Sequence, residues 1–388
     1  MRRIVIVGAG ASGVYLSILL KQKMDNLEVI VLEQNKTSLK KVLATGNGRC
    51  NLSHRNIEKT CYQSDGLEIV EKIVHSFDMQ EKMNELGLYC IYQGDLLYPK
   101  SEQALSVKQI LMQRAEELGV LFFYEQEVLS IDYTSQYVIK TNHQSFKADG
   151  VVFAMGSEAG KLSGVNMSRY DILKKLHLYV VDSTPSLVQF NTSPVFKQFK
   201  GVRVKGTFSL LEKGKCIHQE KGELLFTDYG VSGIAVMQLS AYFQNGHQYQ
   251  LSIDFFDEED EKKLYQDIEL RLKKGYNHFY DGLIHQKIAQ YFETLPHQKA
   301  SQIVRLLKDF RIDVKGVRDF TTAQVMKGGL SFFEVDENLQ IQKYPHMYAI
   351  GEILNVAGLC GGYNLHFAFA SAYCVACAME REWNVKNT

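Results

Sequence analysis

Gly8-Ala9-Gly10-Ala11-Ser12-Gly13 follows an apolar run, Ile4 to Val7, and precedes a helix pattern. A second apolar run, Val29 to Leu32, ends on Glu33. A lone GxGxxG is weak evidence, but one set between a strand and a helix, with an acid about 20 residues on, is a dinucleotide signature. Gly8 permits the tight turn, Gly10 lets the backbone approach a pyrophosphate, and Gly13 lets helix and strand pack closely. The helix start offers unpaired N–H groups and partial positive charge to phosphates. Glu33, followed by Gln34, is placed to accept hydrogen bonds from ribose hydroxyls, and its charge opposes a 2′-phosphate. A glycine-rich turn in some other α/β fold is the bland alternative.

Further loops suit a longer ligand. The buried-strand pattern Val151 to Phe153 runs into Ala154-Met155-Gly156, and the strand pattern Met347 to Ile350 runs into Gly351-Glu352. In open α/β sheets ligands bind beyond the carboxyl ends of strands, so these ends are expected to converge with the Gly8 loop. FAD needs more than a mononucleotide site. Glu352 and Gly361-Gly362-Tyr363-Asn364 would face its ribityl chain or flavin ring. Thr45-Gly46-Asn47-Gly48-Arg49-Cys50-Asn51 reads as an irregular, donor-rich loop that wraps a polar ligand edge; a hairpin turn is its plainer reading.

The elements that must hold these loops alternate strand and helix over residues 1 to about 183, including one helix over Glu68–Leu86 and a β-meander at Val128–Thr141. From Pro185 short strands with glycine turns suggest a small barrel or sandwich. Residues 257 to 311 read as a helical unit opened by Asp257-Glu258-Glu259-Asp260-Glu261, and a final apolar helix closes the chain. The expected division is 1–183 with 342–388, 184–256 with 312–341, and a helical insert at 257–311.

At 388 residues the chain exceeds one core's usual size. Lys plus Arg balance Asp plus Glu at 44 each, which favours neither nucleic acid nor an anionic membrane as partner. No stretch is long and apolar enough for a signal segment or membrane span, so a cytoplasmic location is expected. Seven cysteines, an odd number in a large chain, match no disulfide scaffold. Cys374-Val375-Ala376-Cys377 lies in an Ala-rich helix pattern and reads as core rather than redox centre. No zinc-ligand spacing occurs.

Ala44 to Asn51, Gly222-Glu223-Leu224-Leu225-Phe226-Thr227 through Ser232-Gly233, and Gly351-Glu352 through Leu365 resemble the YhiN/BaiN-like, aminoacetone-oxidase-like FAD-dependent oxidoreductases over essentially the whole chain. The resemblance implies a Rossmann-like, glutathione-reductase-type α/β FAD domain interrupted by a β-barrel domain that carries a helical subdomain. It places Gly8, Gly10, Ser12 and Gly13 on the pyrophosphate and Glu33 on the adenosine ribose. Thr45, Gly46, Asn47, Gly48 and Asn51 fall along the ribityl–flavin end, and Cys50 among them is either a thiol near the flavin or an inert packing residue. The backbone at Val128, Ala154 to Gly156, Gly351, Glu352 and Gly361 to Asn364 complete the site. The chain departs from the family pattern at Met155, at Asn355, and at Val325-Met326-Lys327-Gly328-Gly329-Leu330.

The expected activity is hydride transfer between flavin and a small organic substrate, with the flavin carrying the chemistry. No second strand–GxGxxG–helix unit follows Gly13, so NAD(P)H would dock transiently at the flavin, or another carrier would close the cycle. Arg49, Lys327, Tyr363 and Asn364 are candidates to tune the ring. His366 is either a proton donor or a packed residue at a helix start. Two other readings fit the motifs: a non-catalytic flavoprotein that senses redox state or binds a partner, and a flavin-free NAD-dependent dehydrogenase.

Overall fold

The computed structural model describes residues 1–160, 169–296 and 299–384. The chain forms two compact units, Met1–Thr184 with Met326–Thr388, and Pro185–Val325.

In the first unit five parallel strands lie in the order Met347–Ala349, Gly150–Phe153, Arg2–Val7, Leu27–Leu32, Leu121–Phe123. Ile6 sits between Val31 on one side and Val152 on the other. The inner strands are near-continuous apolar runs because both sheet faces are covered. The chain leaves Arg2–Val7 to one neighbour first and to the other only much later. This reversal of strand order creates the crevice in which α/β sheets bind ligands. Helix Ala11–Lys23 is buried from Ser12 to Leu20 and packs against the final helix, Tyr363–Asn384. Phe369, Ala370, Ala372, Val375 and Ala376 of that final helix are fully buried. The other face, with Tyr373, Cys374 and Cys377, is only half-buried. The Cys374–Cys377 segment lies within a helix, but at the margin of the core and not in its interior.

Two small sheets flank this core. Strand Ser53–His54 pairs with Leu96–Pro99, which pairs with Cys90–Gln93. Strand Val356–Gly358 pairs with Tyr62–Ser64. The meander consists of Val128–Tyr133, Tyr137–Thr141 and Ser145–Ala148. The single helix expected over Glu68–Leu86 is two, Leu67–His75 and Met79–Glu85. Asp78 breaks the run: it stands in extended conformation and its carboxylate caps the second helix by accepting the Glu81 N–H.

The second unit is a closed six-stranded barrel in the order Phe190–Ser193, Gly230–Ser232, Lys215–Phe226, Arg203–Glu212, Tyr249–Asp254, Phe310–Val317. Phe190, Phe199, Phe208 and Phe226 fill its core, with Phe292 from the helical segment. A short helix, Ile234–Ser240, interrupts what reads in sequence as strands. Three helices follow: Glu261–Lys274, Gln286–Glu293 and Ala300–Lys308. Asp260 caps the first by accepting from Lys262 and Lys263, and Gly275 ends it in left-handed conformation.

The barrel ends earlier than the expected 312–341 segment. Phe310–Val317 already closes it by pairing with both Tyr249–Asp254 and Phe190–Ser193. Val325–Leu330 instead pairs with Val180–Ser186, and Leu330 bridges Leu354. A Cβ at Gly329 would stand 2.6 Å from the Ile353 carbonyl oxygen. Close backbone packing of this kind, with the Asn355 N–H donating to the Leu330 carbonyl at 2.8 Å, draws Met326–Ile341 into the first unit.

Candidate functional site

The Gly8 loop is shaped by backbone contact. Gly8 has φ +113°, and a Cβ there would meet the Ala154 carbonyl oxygen at 2.4 Å. A Cβ at Gly13 would stand 2.0 Å from the Gly8 carbonyl oxygen. Gly10 differs: nothing approaches its Cβ position closer than 4.0 Å. Gly10 also caps helix Ala11–Lys23 without a side-chain hydrogen bond. The first-turn N–H groups thus remain for a ligand, and an anion there is favoured by the helix dipole.

Glu33 is buried at the end of its strand. Its Oε2 accepts the Ala9 N–H at 2.9 Å, while Oε1 accepts the Asn35 backbone and side-chain N–H groups at 2.8 and 2.6 Å. Oε2 keeps a second lone-pair direction for a hydroxyl donor. Gln34 follows, half-buried. The Gln126 N–H donates to the Glu33 carbonyl at 2.9 Å, so the segment leading to Val128 runs beside this strand end.

Lys41 joins three loops that are far apart in sequence. Its Nζ lies 2.7 Å from Glu352 Oε2 and 3.3 Å from Ser157 Oγ. The loops after Leu32, after Phe153 and after Ala349 are thereby tied together. Close packing supports the same convergence: a Cβ at Gly351, φ +70°, would meet Ser12 Oγ at 2.7 Å. Ala154 N–H bonds the Val7 carbonyl at 2.8 Å, and Gly156 turns with φ +66°. Lys41 belongs to no motif of the sequence. The one signal available was a lysine lying between the acid at residue 33 and the loop at residue 45.

The Thr45–Asn51 loop is a tight irregular turn and not a hairpin. Gly46, Asn47, Gly48 and Cys50 all have positive φ, and the Cys50 N–H returns to the Thr45 carbonyl at 3.1 Å. Arg49 turns its guanidinium to Glu102 Oε2 at 2.6 Å and Gln93 Oε1 at 2.5 Å, above the Tyr98 ring at 4.3 Å. Asn51 Oδ1, Arg49 Nε and Glu352 Oε1 are buried with no partner among the described residues. Such atoms cost about 1–3 kcal/mol each. A polar ligand lying along these loops would supply the missing partners, and with the open space at Gly10 this fits a dinucleotide cofactor.

The third loop presses on the strand that follows residue 51. A Cβ at Gly362 would fall 2.7 Å from the Ser53 backbone. Asn364 is engaged within its own loop, its Oδ1 accepting the Gly358 N–H at 2.8 Å and its Nδ2 donating to the Gly358 carbonyl at 2.9 Å. The side chain of Asn364 thus shapes the loop, and the backbone at Gly361 and Gly362 is what it presents. Tyr363 stacks on His54, ring centroids 4.9 Å apart at 19°.

Several candidates prove structural. Cys50 is fully buried, and burial pushes its thiol up to about 11. His366 is buried between the Val74 carbonyl, 3.0 Å from Nε2, and Ser53 Oγ, 2.8 Å from Nδ1. The carbonyl fixes the proton on Nε2, and burial lowers the pKa of the ring. Burial likewise lowers the pKa of Lys327. At the positions that depart from the family pattern, Met326 Sδ accepts the Glu158 N–H at 3.2 Å and Asn355 Oδ1 accepts the Gly328 N–H at 3.1 Å. Among the described residues no three His, Cys, Asp or Glu gather where they could hold a metal ion. No helix among them is long and apolar enough to cross a membrane.

Comparison with known proteins agrees with this geometry. The model of the HI0933-like protein Rossmann domain matches residues 2–378. The chain is 29% identical over 399 residues to a 3-dehydro-bile acid delta(4,6)-reductase of Clostridium scindens, covering 96% of this chain and 98% of that protein. It is 27% identical over 401 residues to a ribosomal RNA dihydrouridine synthase of Escherichia coli, covering 97% of each. Its fold is similar to that of a 3-ketosteroid delta1-dehydrogenase of Sterolibacterium denitrificans, with TM-score 0.50 and 12% identity over 98% of this chain and 100% of that one. A match that runs from the first strand into the last helix shows that the chain belongs to the HI0933-like Rossmann family and is an FAD-dependent oxidoreductase.

Proposed function

We propose that this protein reduces carbon–carbon double bonds conjugated to a carbonyl in a small organic substrate, drawing its electrons from NADH or NADPH. The observation that carries the site is the Lys41 tie, which draws the loops at Ser157 and Glu352 to the Gly8 crevice. It makes the site longer than a mononucleotide needs. On this reading Gly8 to Gly13 would hold the pyrophosphate of FAD and Glu33 its ribose. Thr45–Asn51 and Gly361–Gly362 would hold the flavin end. Bound there, FAD supplies two-electron hydride chemistry, while the protein orients the substrate and excludes water.

The reaction class rests on what two relatives' names have in common. One name denotes saturation of double bonds in a 3-oxo steroid, the other saturation of a pyrimidine ring beside its carbonyl. Both add hydrogen across an electron-poor C=C. The balance of 44 basic and 44 acidic residues supports a small-molecule acceptor over RNA. The sequence contains one GxGxxG unit in a strand–helix setting, so the nicotinamide is read as a transient visitor to the flavin. The test is anaerobic: the purified holoprotein is reduced with NADH or NADPH, then mixed with progesterone, cyclohexenone or a uridine-containing RNA stem. Return of the oxidised flavin spectrum with the enones, and not with RNA, is the expected result. A flavin that neither nicotinamide bleaches, or that no enone reoxidises, overturns the reading.

A further inference from the structure

Saturating a C=C needs a proton as well as a hydride, and few groups around the Thr45–Asn51 and Gly361–Gly362 loops are free to give one. Cys50 is buried with its thiol pushed up to about 11. The Tyr363 phenol is hydrogen-bonded to Cys61, and burial raises its pKa. Tyr62 donates its hydroxyl to the Tyr363 carbonyl at 3.0 Å. Both ring nitrogens of His366 are engaged, and Arg49 is held by Glu102 and Gln93.

His54 is different. It lies three residues beyond Asn51, and strand alternation sends its side chain to the face opposite Ser53, whose hydroxyl points inward to His366. The ring stacks on Tyr363, and a Cβ at Gly361 would stand 3.6 Å from His54 Cδ2. The imidazole therefore packs on the Gly361–Tyr363 loop, three residues in sequence beyond the Thr45–Asn51 loop. Its Nδ1 lies 3.1 Å from the Asn56 N and 3.2 Å from the Asn56 carbonyl oxygen, which fixes the ring's orientation. Nε2 has no partner among the described residues, and the ring is half-buried. A histidine held at one nitrogen and free at the other is oriented to pass a proton through the free one.

We propose that His54 is the catalytic residue that donates the proton in alkene reduction, through Nε2. This rests on the reading of the function given above. The C=C gains two electrons: the carbon remote from the carbonyl receives a hydride from reduced FAD, and the carbon beside the carbonyl receives the proton from Nε2. A new C–H bond forms at each carbon, the π bond is lost, and the flavin is left oxidised. Solvent water returns the proton to His54, and NADH or NADPH restores the flavin.

The experiment compares wild type, His54→Gln and a surface control, His75→Gln, as holoproteins. Glutamine keeps a hydrogen-bonding side chain of similar reach but has no proton to give. Anaerobic reoxidation of the NADH-reduced flavin by cyclohexenone is expected to slow about 100-fold in H54Q and to be unaffected in H75Q. Independently of turnover, the apoprotein with nitrogen-labelled histidine is titrated with FAD, and the His54 resonance is assigned by its absence from H54Q. FAD is expected to shift that resonance. Reoxidation of H54Q at the wild-type rate, or a His54 resonance that FAD does not move, overturns the proposal. If enones fail to reoxidise the wild type, the functional reading falls and this proposal with it, an outcome told apart from failure of His54 alone by the wild-type trace.

Discussion

Replacing Lys41 by methionine probes the tie on which the site's shape depends. The Lys41–Glu352 pair has an N···O distance of 2.7 Å with side chains 34% and 18% exposed, so it lies between two limits. A solvated pair is worth roughly 0–1 kcal/mol, and cutting a fully buried one costs about 3–5 kcal/mol. Solvent screening at Lys41 favours the lower part of that range, about 1.5 kcal/mol. Glu352 raises the cost, because its Oε1 is already buried without a partner and K41M leaves Oε2 with none as well. FAD is held by the loops that Lys41 joins, so this energy is expected in the binding constant, as about a tenfold rise in Kd. Fluorescence titration of apoprotein with FAD at low and high salt measures it. The double variant K41M/E352Q removes the stranded charge and is expected to recover part of the loss, giving a measurable coupling energy. K41M binding FAD within about twofold of wild type, or strictly additive losses in the double variant, would refute the argument.

The glycines separate folding from binding. Gly13→Ala forces a methyl against the Gly8 carbonyl and is expected to cost about 1–3 kcal/mol, read as a lower Tm in the apoprotein. Gly10→Ala meets open space, so apoprotein Tm should hold while flavin content falls; loss of both in G10A would contradict the assignment of Gly10 to the ligand face. Thiol labelling of native protein at mildly alkaline pH should modify exposed Cys216 first and spare Cys50 until unfolding. Rapid native modification of Cys50 would contradict its inert packing role. His366 has a folded pKa below its ordinary value of 6.5, so the unfolded chain binds the proton more readily. Its contribution to stability is full above about pH 6.5 and is lost as pH falls through the depressed folded pKa. Tm measured between neutral and acid pH should fall less steeply in His366→Gln, and an unchanged slope would assign the acid sensitivity to other groups.

The loops carrying this site were legible because glycine leaves a signature where backbone must touch backbone. At Gly8 and Gly13 a side chain would fall 2.4 and 2.0 Å from backbone carbonyl oxygens, and flanking apolar runs announce the strands. Lys41 and His54 were not legible, because a charged or ring side chain in a loop acquires its meaning only from tertiary partners. Asn364 shows the reverse: a polar residue in a glycine-rich loop reads as a ligand contact, yet its amide is engaged in closing that loop. The break at Asp78 and the helix Ile234–Ser240 were hidden for a similar reason. In both places local apolar runs fit another element, and capping or barrel packing decides between them. The earlier end of the barrel follows from strand pairings distant in sequence, which residue pattern alone does not encode.

The most direct test is an experimental structure with FAD bound. The expected result is one FAD with its pyrophosphate against the N–H groups of the Gly10–Gly13 turn and a ribose hydroxyl on Glu33. The isoalloxazine ring should lie between the Thr45–Asn51 loop and Gly361–Gly362, with His54 Nε2 facing the space over it. An FAD whose phosphates lie away from Gly10, or whose ring lies away from both of those loops, would contradict the account.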